Sequence, residues 1–536
     1  MPSWYVAPTE RSPELTTVII KNGIEDLTES PARALLETQA LSAYLPKCPW
    51  TGHLGEPVDS VKLTRVNSIG EAGELLIFTE LEVDVRGSIE HYFLPLGFVQ
   101  DHLAGTASQQ LAVSRLRHKR TAGLLTDAFT LPEFNRKIVS YIRDQVVKPI
   151  DGGELRFITL SGAAQYLQNL EQKTADEKNV EEINVVATAE VYGSVVIDEK
   201  LVLKPIRKLV PGVHPEIEMN AYLSQLGFSN IAPLLGEVKR VNDKEEFTLM
   251  ILQGYINNQG DAWQWTQNTL ERALRDRLTA GTSSMDMQFP ALEELQSFAQ
   301  MIGRRLGEMH VLLAKPAKNT NFGYLETSSS ELTRWVKSIK DRLQQVLDML
   351  RDNPAKEAGA LLASAKELSA AIKTLGAKAS KGVRIRIHGN FTLAQVLVVR
   401  SDAYFVHFED GLSKGTLDDD LRQSPLKDVA DMLCSFDDAG AVAIRSAQAV
   451  NSGSQAEQIR AIAATYKGQV HEAFCEAYYA AASESPALGK QSSNEACLKL
   501  YRIDNRLREI QKCLHHPDSL EVVIQGLNNI LKSLES

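Results

Sequence analysis

No stretch of the 536-residue sequence approaches the roughly 20 consecutive apolar residues that a membrane-spanning helix requires. The N-terminal segment MPSWYVAPTERSPEL has neither a basic n-region nor an apolar h-region, so the expectation is a cytoplasmic protein without a secretory signal. Cysteine is scarce. Cys48, Cys434, Cys475, Cys497 and Cys513 are scattered and form no CxxC pair, and Cys513 with His515 and His516 makes a weak metal cluster at best, which reads as reduced, mostly buried thiols. Positive charge is also short: 58 Lys and Arg face 68 Asp and Glu, a net charge of −10. With no segregated basic stripe to offset that field, a nucleic-acid partner is excluded, and RLRHK (Arg115–Lys119) reads as solvated surface.

What is present is the balance of a folded globular chain, 43% hydrophobic and 24% charged, long enough for two or three compact units. Leu75–Val85 and His91–Val99 read as strands of a small sheet. Residues 111–175 are more polar, with one helix-like stretch around Phe134–Val147, and the charged segment Gln172–Glu182 reads as a loop or junction. Ile183–Ile197 and Lys200–Ile206 resemble a hairpin, Phe247–Ile256 a further buried strand, and His214–Phe228 carries Met219, Tyr222, Leu223 and Leu226 at helical spacing. Beyond Trp263 the pattern is almost wholly helical. Leu292, Leu295, Phe298, Ile302, Leu306, Met309 and Leu313 trace one face, Trp335, Ile339, Leu343, Val346 and Leu350 a second, and Lys356–Leu375 a third helix. One strand-rich island, Arg384–Asp410, interrupts them. Strands with one helix, followed by a helical half that holds a short hairpin, is the bilobal outline of a kinase.

In a kinase small lobe, a strand lysine holds the nucleotide phosphates and is positioned by a glutamate on the next helix. Lys204 lies in the apolar run KLVLKPI, and Glu218 on the next expected helix can reach it. The bland reading, an edge-strand lysine snorkelling to water, weighs equally on these residues alone. Context comes from longer blocks. VLKPIRKLVPGVHPEIEMNAYLSQLGFSNIAPLLGEV (Val202–Val238), LMILQGYINNQGDAWQW (Leu249–Trp265), GRRLGEMHVLLA (Gly303–Ala314) and RQSPLKDVADMLCSFDDA (Arg422–Ala439) are similar, in this order, to maltokinases. These kinases occur alone or fused to trehalose synthase and are distant relatives of aminoglycoside phosphotransferases. Ala34–Trp50 onward resembles the family's cap domain more loosely.

The resemblance implies an α+β, bilobal, protein-kinase-like (aminoglycoside phosphotransferase-like) fold. Residues 1–110 would form the cap subdomain, 111–262 the rest of the N-lobe with its nucleotide-type sheet, and 263–536 a mostly helical C-lobe carrying the catalytic-type hairpin 384–412. It further implies nucleotide-binding roles for Lys204, Glu218, Gly193 and the hinge residue Gln253, and acceptor or supporting roles for Trp263, Asp428 and Arg422. Trp263 and Trp265 can stack on a sugar ring or pack at a lobe interface; packing is expected for at least one. Gly193 is the sole glycine of ATAEVYGSVV (Ala187–Val196), a weak phosphate cradle that reads more simply as a β-turn.

The hairpin departs from the family pattern, HGDxHLGQ followed by DFEGEP. The sequence here has HGNFTLAQ (His388–Gln395) and HFEDGL (His407–Leu412). Asn390 stands at the base position beside His388, Thr392 at the histidine position and His407 at the metal-aspartate position, while Gln395 and Glu409 are retained. An amide cannot take a proton, and general-base help is worth about 10²–10⁴-fold. Magnesium prefers oxygen ligands, so a neutral imidazole is a poor substitute for a carboxylate. Glu409 or Asp410 could reach a metal if the strand bulges.

Two functional readings follow. The first is a catalytically impaired maltokinase-like protein of trehalose, maltose or α-glucan metabolism, a pseudokinase or a partner of trehalose synthase or another α-glucan enzyme. The second is an active kinase that uses ATP and Mg2+ to make maltose 1-phosphate or a related sugar phosphate. Neither reading involves a nucleic acid or a membrane.

Overall fold

The computed structural model describes residues 15–21, 25–29, 31–53, 55–71, 74–118, 121–160, 163, 186–187, 193–280, 290–317, 321–351, 353–379, 382–408, 421–449, 451, 453–514 and 517–535. The chain divides into two compact units, one holding residues 9–221 and 232–257, the other 222–231 and 258–536.

The first unit is built on two sheets. A six-stranded sheet runs in the order β1 (Thr17–Ile20), β5 (Ala112–His118), β6 (Thr121–Asp127), β4 (Ser88–Gln100), β3 (Leu76–Val85) and β2 (Ser60–Ser68), antiparallel except where β1 joins β5. A seven-stranded antiparallel sheet runs β7 (Val147–Ile150), β8 (Gly153–Thr159), β12 (Leu234–Val241), β13 (Glu246–Gly254), β11 (Leu201–Pro205), β10 (Val195–Ile197) and β9 (Val186–Ala187). Successive residues of a strand point to opposite faces. Accordingly Phe78 and Phe93 enter a core shared with Phe157, Leu203 and Leu252 of the second sheet, while their neighbours Ile77 and Tyr92 enter another with Leu36, Leu41 and Tyr44. Strands β5–β8 lie within the region that reads as polar in the sequence, because Arg115–His118 and Thr121–Gly123 offer few apolar residues although their backbone completes the ladder. Helix α1 (Pro132–Arg143) ends four residues before the expected Val147: Gln145 takes φ +51°, and Val147 begins β7. Helix α2 (Pro215–Gln225) follows β11.

The second unit contains α3 (Ala262–Ala280), α4 (Pro290–Leu313), α5 (Ser329–Leu350), α6 (Lys356–Ala363), α7 (Ala365–Lys378), α8 (Leu426–Gln448), α9 (Ser454–Ala481), α10 (Gln491–Cys513) and α11 (Pro517–Glu535). All seven expected apolar positions of α4 are buried. The alanine-rich stretch expected as one helix is two, α6 and α7, broken at Ser364. A two-stranded ladder pairs β14 (Leu325–Glu326) with β15 (Val383–Arg384), and a hairpin pairs β16 (Val396–Val399) with β17 (Asp402–Phe405), inside the strand island of the sequence. Helices α4 and α9 approach closely because glycine lines their contact: a Cβ on Gly303 would sit 2.2 Å from Phe474 O, and one on Gly307 2.7 Å from Ala481 Cβ. Every residue of α8 from Leu426 to Phe436 is buried, four of them polar. Among the described residues no helix is long and apolar enough to cross a membrane, and the five cysteines form no disulfide.

Candidate functional site

Two constellations, one in each unit, collect the residues singled out in the sequence. In the first unit Lys204 sits on β11 opposite Ile251 of β13, 1% exposed. The carboxylate beside it belongs to Glu216, with Oε2 3.7 Å from Lys204 Nζ. This corrects the expected partner. Glu218 lies two positions on, about 200° round the helix from Glu216, and is half-buried. Glu216 is 1% exposed, accepts from Gln253 Nε2 at 3.1 Å, and heads the face that also buries Asn220, whose Nδ2 reaches the Glu216 carbonyl at 3.0 Å. Gln253 is therefore joined to Lys204 through one carboxylate. A buried lysine needs such an opposite charge, since an isolated ammonium is costly in a low-dielectric interior.

Gly193 adopts φ +67°, a conformation that favours glycine, and a Cβ there would lie 3.4 Å from Arg207 Nη2. Residues 188–192 of the expected glycine loop lie outside the described residues. Arg207 is 6% exposed, pairs with Asp127 at 2.5 Å, and stacks between Trp50 and Phe129, each ring centroid 5.2 Å from its guanidinium carbon.

In the second unit the segment from Ile385 leads into the catalytic-type loop. Asp428, 0% exposed in the first turn of α8, receives the backbone N–H groups of His388 (2.8 Å, Oδ2) and Gly389 (2.9 Å, Oδ1). His310 of α4 adds Nε2 at 3.1 Å, and its other nitrogen meets Tyr478 OH at 3.1 Å. Burial pushes the Asp428 carboxyl upward, but the hydrogen bond from His310 and the charges of His310, His388 and Lys427 prevail, and its pKa lies below the usual carboxylate value. Lys427 binds Gly389 O and holds Asp431 at 2.8 Å. The loop is thus fixed at both N–H and C=O groups. His388 donates Nε2–H to Val406 O at 2.9 Å, tying the loop to the strand after it, and packs on Phe391 and Phe408. Asn390 follows Gly389 (φ +90°) and is half-buried.

Gln395 and His407 come together. His407 donates Nδ1–H to Gln395 Oε1 at 2.9 Å, and its backbone sits at φ +65°, in the left-handed region that few non-glycine residues occupy. Glu409 and Asp410 lie outside the described residues. Among those described, no group of three or more His, Cys, Asp or Glu is arranged to hold a metal ion. Trp263 is half-buried in the first turn of α3, and Trp265 packs on Phe298 with centroids 4.8 Å apart. Arg422 donates to Phe322 O at 3.4 Å. His310, Lys427 and Asp431 escaped the sequence reading. The available signal was polar residues at i and i+4 inside otherwise apolar faces, as with Lys427 and Asp431.

Chemically, Lys204 can hold a phosphate with its ammonium, and Asn390 can orient a hydroxyl but not deprotonate it. A hard cation would need carboxylate oxygens beside the Gln395 amide, and Glu409 and Asp410, the nearest to His407 in sequence, lie outside the described residues. Among the described residues, the amide oxygen of Gln395 accepts a hydrogen bond from the neighbouring imidazole of His407.

No family model matches the chain. Among solved structures, a glucosamine kinase in complex with glucosamine, ADP and inorganic phosphate aligns over 92% of this chain and 99% of its own, with TM-score 0.57 and 18% identity. Two further crystal forms of glucosamine kinase give TM-scores of 0.55 and 0.56 at 18% identity, over 88% of this chain and 92% and 94% of theirs. At that identity the likeness establishes architecture, and the architecture is the α+β, bilobal, kinase-like fold that the sequence implies.

Proposed function

We propose that this chain is a maltokinase-like member of the sugar-kinase fold whose metal-assisted phosphoryl transfer is impaired, and that it serves trehalose, maltose or α-glucan metabolism as a nucleotide- or sugar-binding partner, with trehalose synthase as the first candidate. The observation that carries this reading is the His407–Gln395 hydrogen bond. Phosphoryl transfer relies on positioning and on neutralising charge at the phosphate oxygens. Here the two side chains at the expected metal positions bond to each other, and Asn390 supplies an amide at the expected base position. A bound nucleotide would bring its phosphates to Lys204, which Glu216 holds in place; the ADP-bound glucosamine kinase supports nucleotide binding by analogy.

A second reading has its own support in the buried Lys204–Glu216–Gln253 set, which costs desolvation and fits a retained phosphate grip. On that reading the protein is an ATP-dependent kinase acting on maltose or, given the glucosamine kinase neighbours, an amino sugar. Incubation with saturating ATP, Mg2+ and either maltose or glucosamine separates the two. Impairment means no sugar phosphate above a no-enzyme control. Product that disappears in Lys204→Ala would sink the impairment reading and establish the kinase.

A further inference from the structure

We infer that the six-stranded sheet sets the phosphate grip of the seven-stranded one, with Arg207 as the positioning residue between them, an inference that rests on the nucleotide-binding reading above. The chain changes sheets just after Lys204. Ile206 N–H still donates to Leu249 O of β13 at 2.9 Å, but Arg207 O accepts from Phe93 N–H at 2.7 Å and Leu209 N–H donates to His91 O at 2.9 Å, both on β4. Lys208 pairs with Glu90 of the same strand. Three residues, about 10 Å of extended chain, therefore separate the lysine from backbone bonded to the other sheet.

Side chains an odd number of places apart on a strand face opposite ways. Lys204 turns to Glu216 on α2, and Ile206 joins Ile217 and Ile251 on that side. Arg207 turns the other way, to Asp127 of β6 and the rings of Trp50 and Phe129. The same guanidinium backs the turn ahead of β10, because a Cβ on Gly193 would stand 3.4 Å from Nη2. Two residues on, Val195 pairs with Leu203, the neighbour of Lys204. One residue thus touches the turn with its side chain and continues the lysine strand with its backbone.

Packing alone does not call for a charge here. Apolar residues of similar size often match a buried ion pair in stability. Arg207 also leaves Nε and Nη1, both buried, without a hydrogen-bond partner among the described residues, which costs stability. What the guanidinium does supply is orientation. A planar group gripped by a carboxylate and two rings is held one way round, as a part that fixes the spacing between Gly193 and Lys204 must be.

Arg207→Met combined with Asp127→Asn removes both charges at once, so neither is left buried alone, and the amide keeps an oxygen for Phe129 N–H. In the full chain, ATP and adenosine are titrated by calorimetry, and hydrogen exchange is followed without ligand. The double variant is expected to bind ATP at least about tenfold more weakly and adenosine as before, because the grip acts on phosphates and not on the base. Amides of Val195–Ile197 and Leu201–Lys204 are expected to exchange at least about tenfold faster, with those of Val61–Leu63 on β2 unchanged. Trp50→Leu, which keeps the ion pair and removes one ring, is the milder variant and is expected to move both readouts the same way by a smaller factor. ATP and adenosine weakening alike, ATP binding unaffected, or exchange unchanged would each overturn the assignment. A wild type that binds no nucleotide would end the nucleotide reading by itself, and the exchange rates would still decide the role of Arg207, faster exchange supporting it and unchanged exchange ending it.

Discussion

His407 donates its Nδ1 proton to Gln395 across 2.9 Å, so the two side chains that the resemblance places at metal positions are bonded to one another. Restoring an acid should reverse that. His407→Asp combined with Asn390→Asp is expected to make ATP raise the melting temperature more with Mg2+ than without it, because a ligand that binds only the folded state stabilises it by mass action. Equal shifts with and without Mg2+ in the double variant would show that these two positions do not decide metal use.

The partner of Lys204 gives a second test. Glu216→Gln removes the carboxylate beside a buried ammonium and is expected to cost about 3 kcal/mol of stability and to weaken any nucleotide binding about tenfold or more. Glu218→Gln, on the other side of the helix, is expected to lower stability less than Glu216→Gln does. Urea denaturation and ATP titration of the pair measure both.

Glu90 makes stability depend on acid. Burial pushes its carboxyl up, but hydrogen bonds from Lys208, Tyr92 and His53 outweigh burial and bring its pKa down to about 2. A depressed pKa contributes stability that is fully present above the unfolded value of about 4.3 and is lost as pH falls toward about 2. Glu90→Gln is expected to cost about 2 kcal/mol at neutral pH and to flatten the fall in melting temperature across that window.

Two glycines on helices should answer oppositely to alanine. Gly303→Ala drives a methyl into the Phe474 carbonyl and is expected to destabilise by about 1–3 kcal/mol. Gly359 is exposed on α6 with nothing within 4 Å of a built Cβ, so Gly359→Ala is expected to stabilise by about 0.5–1 kcal/mol. Denaturant midpoints of the two variants report the difference directly.

The helical half was legible because burial writes itself into long 3.6-residue patterns, as the seven apolar positions of α4 show. The strands β5 to β8 were not. Short strands with Thr, Ser, Gly and Arg owe their place to partners distant in the chain, and no local pattern records that. In the candidate site, local motifs located His388, Asn390, Gln395 and His407, which are close in sequence and share a loop and hairpin. The Lys204 partner was misread by two residues: both glutamates fall in one turn of α2, and only the helix register distinguishes the buried face from the other. His310 lies more than a hundred residues from Asp428, and that contact is written only in the folded chain.

Asp428 grips the turn by the backbone N–H groups of residues 388 and 389. Conformation and reactivity at this turn therefore have separate owners. Side-chain changes at 390 or 407 leave these two backbone bonds in place, whereas Asp428 answers for the shape of the turn whatever chemistry it performs. A lineage that exchanges the side chains around this turn would keep the anchor for as long as it keeps the fold.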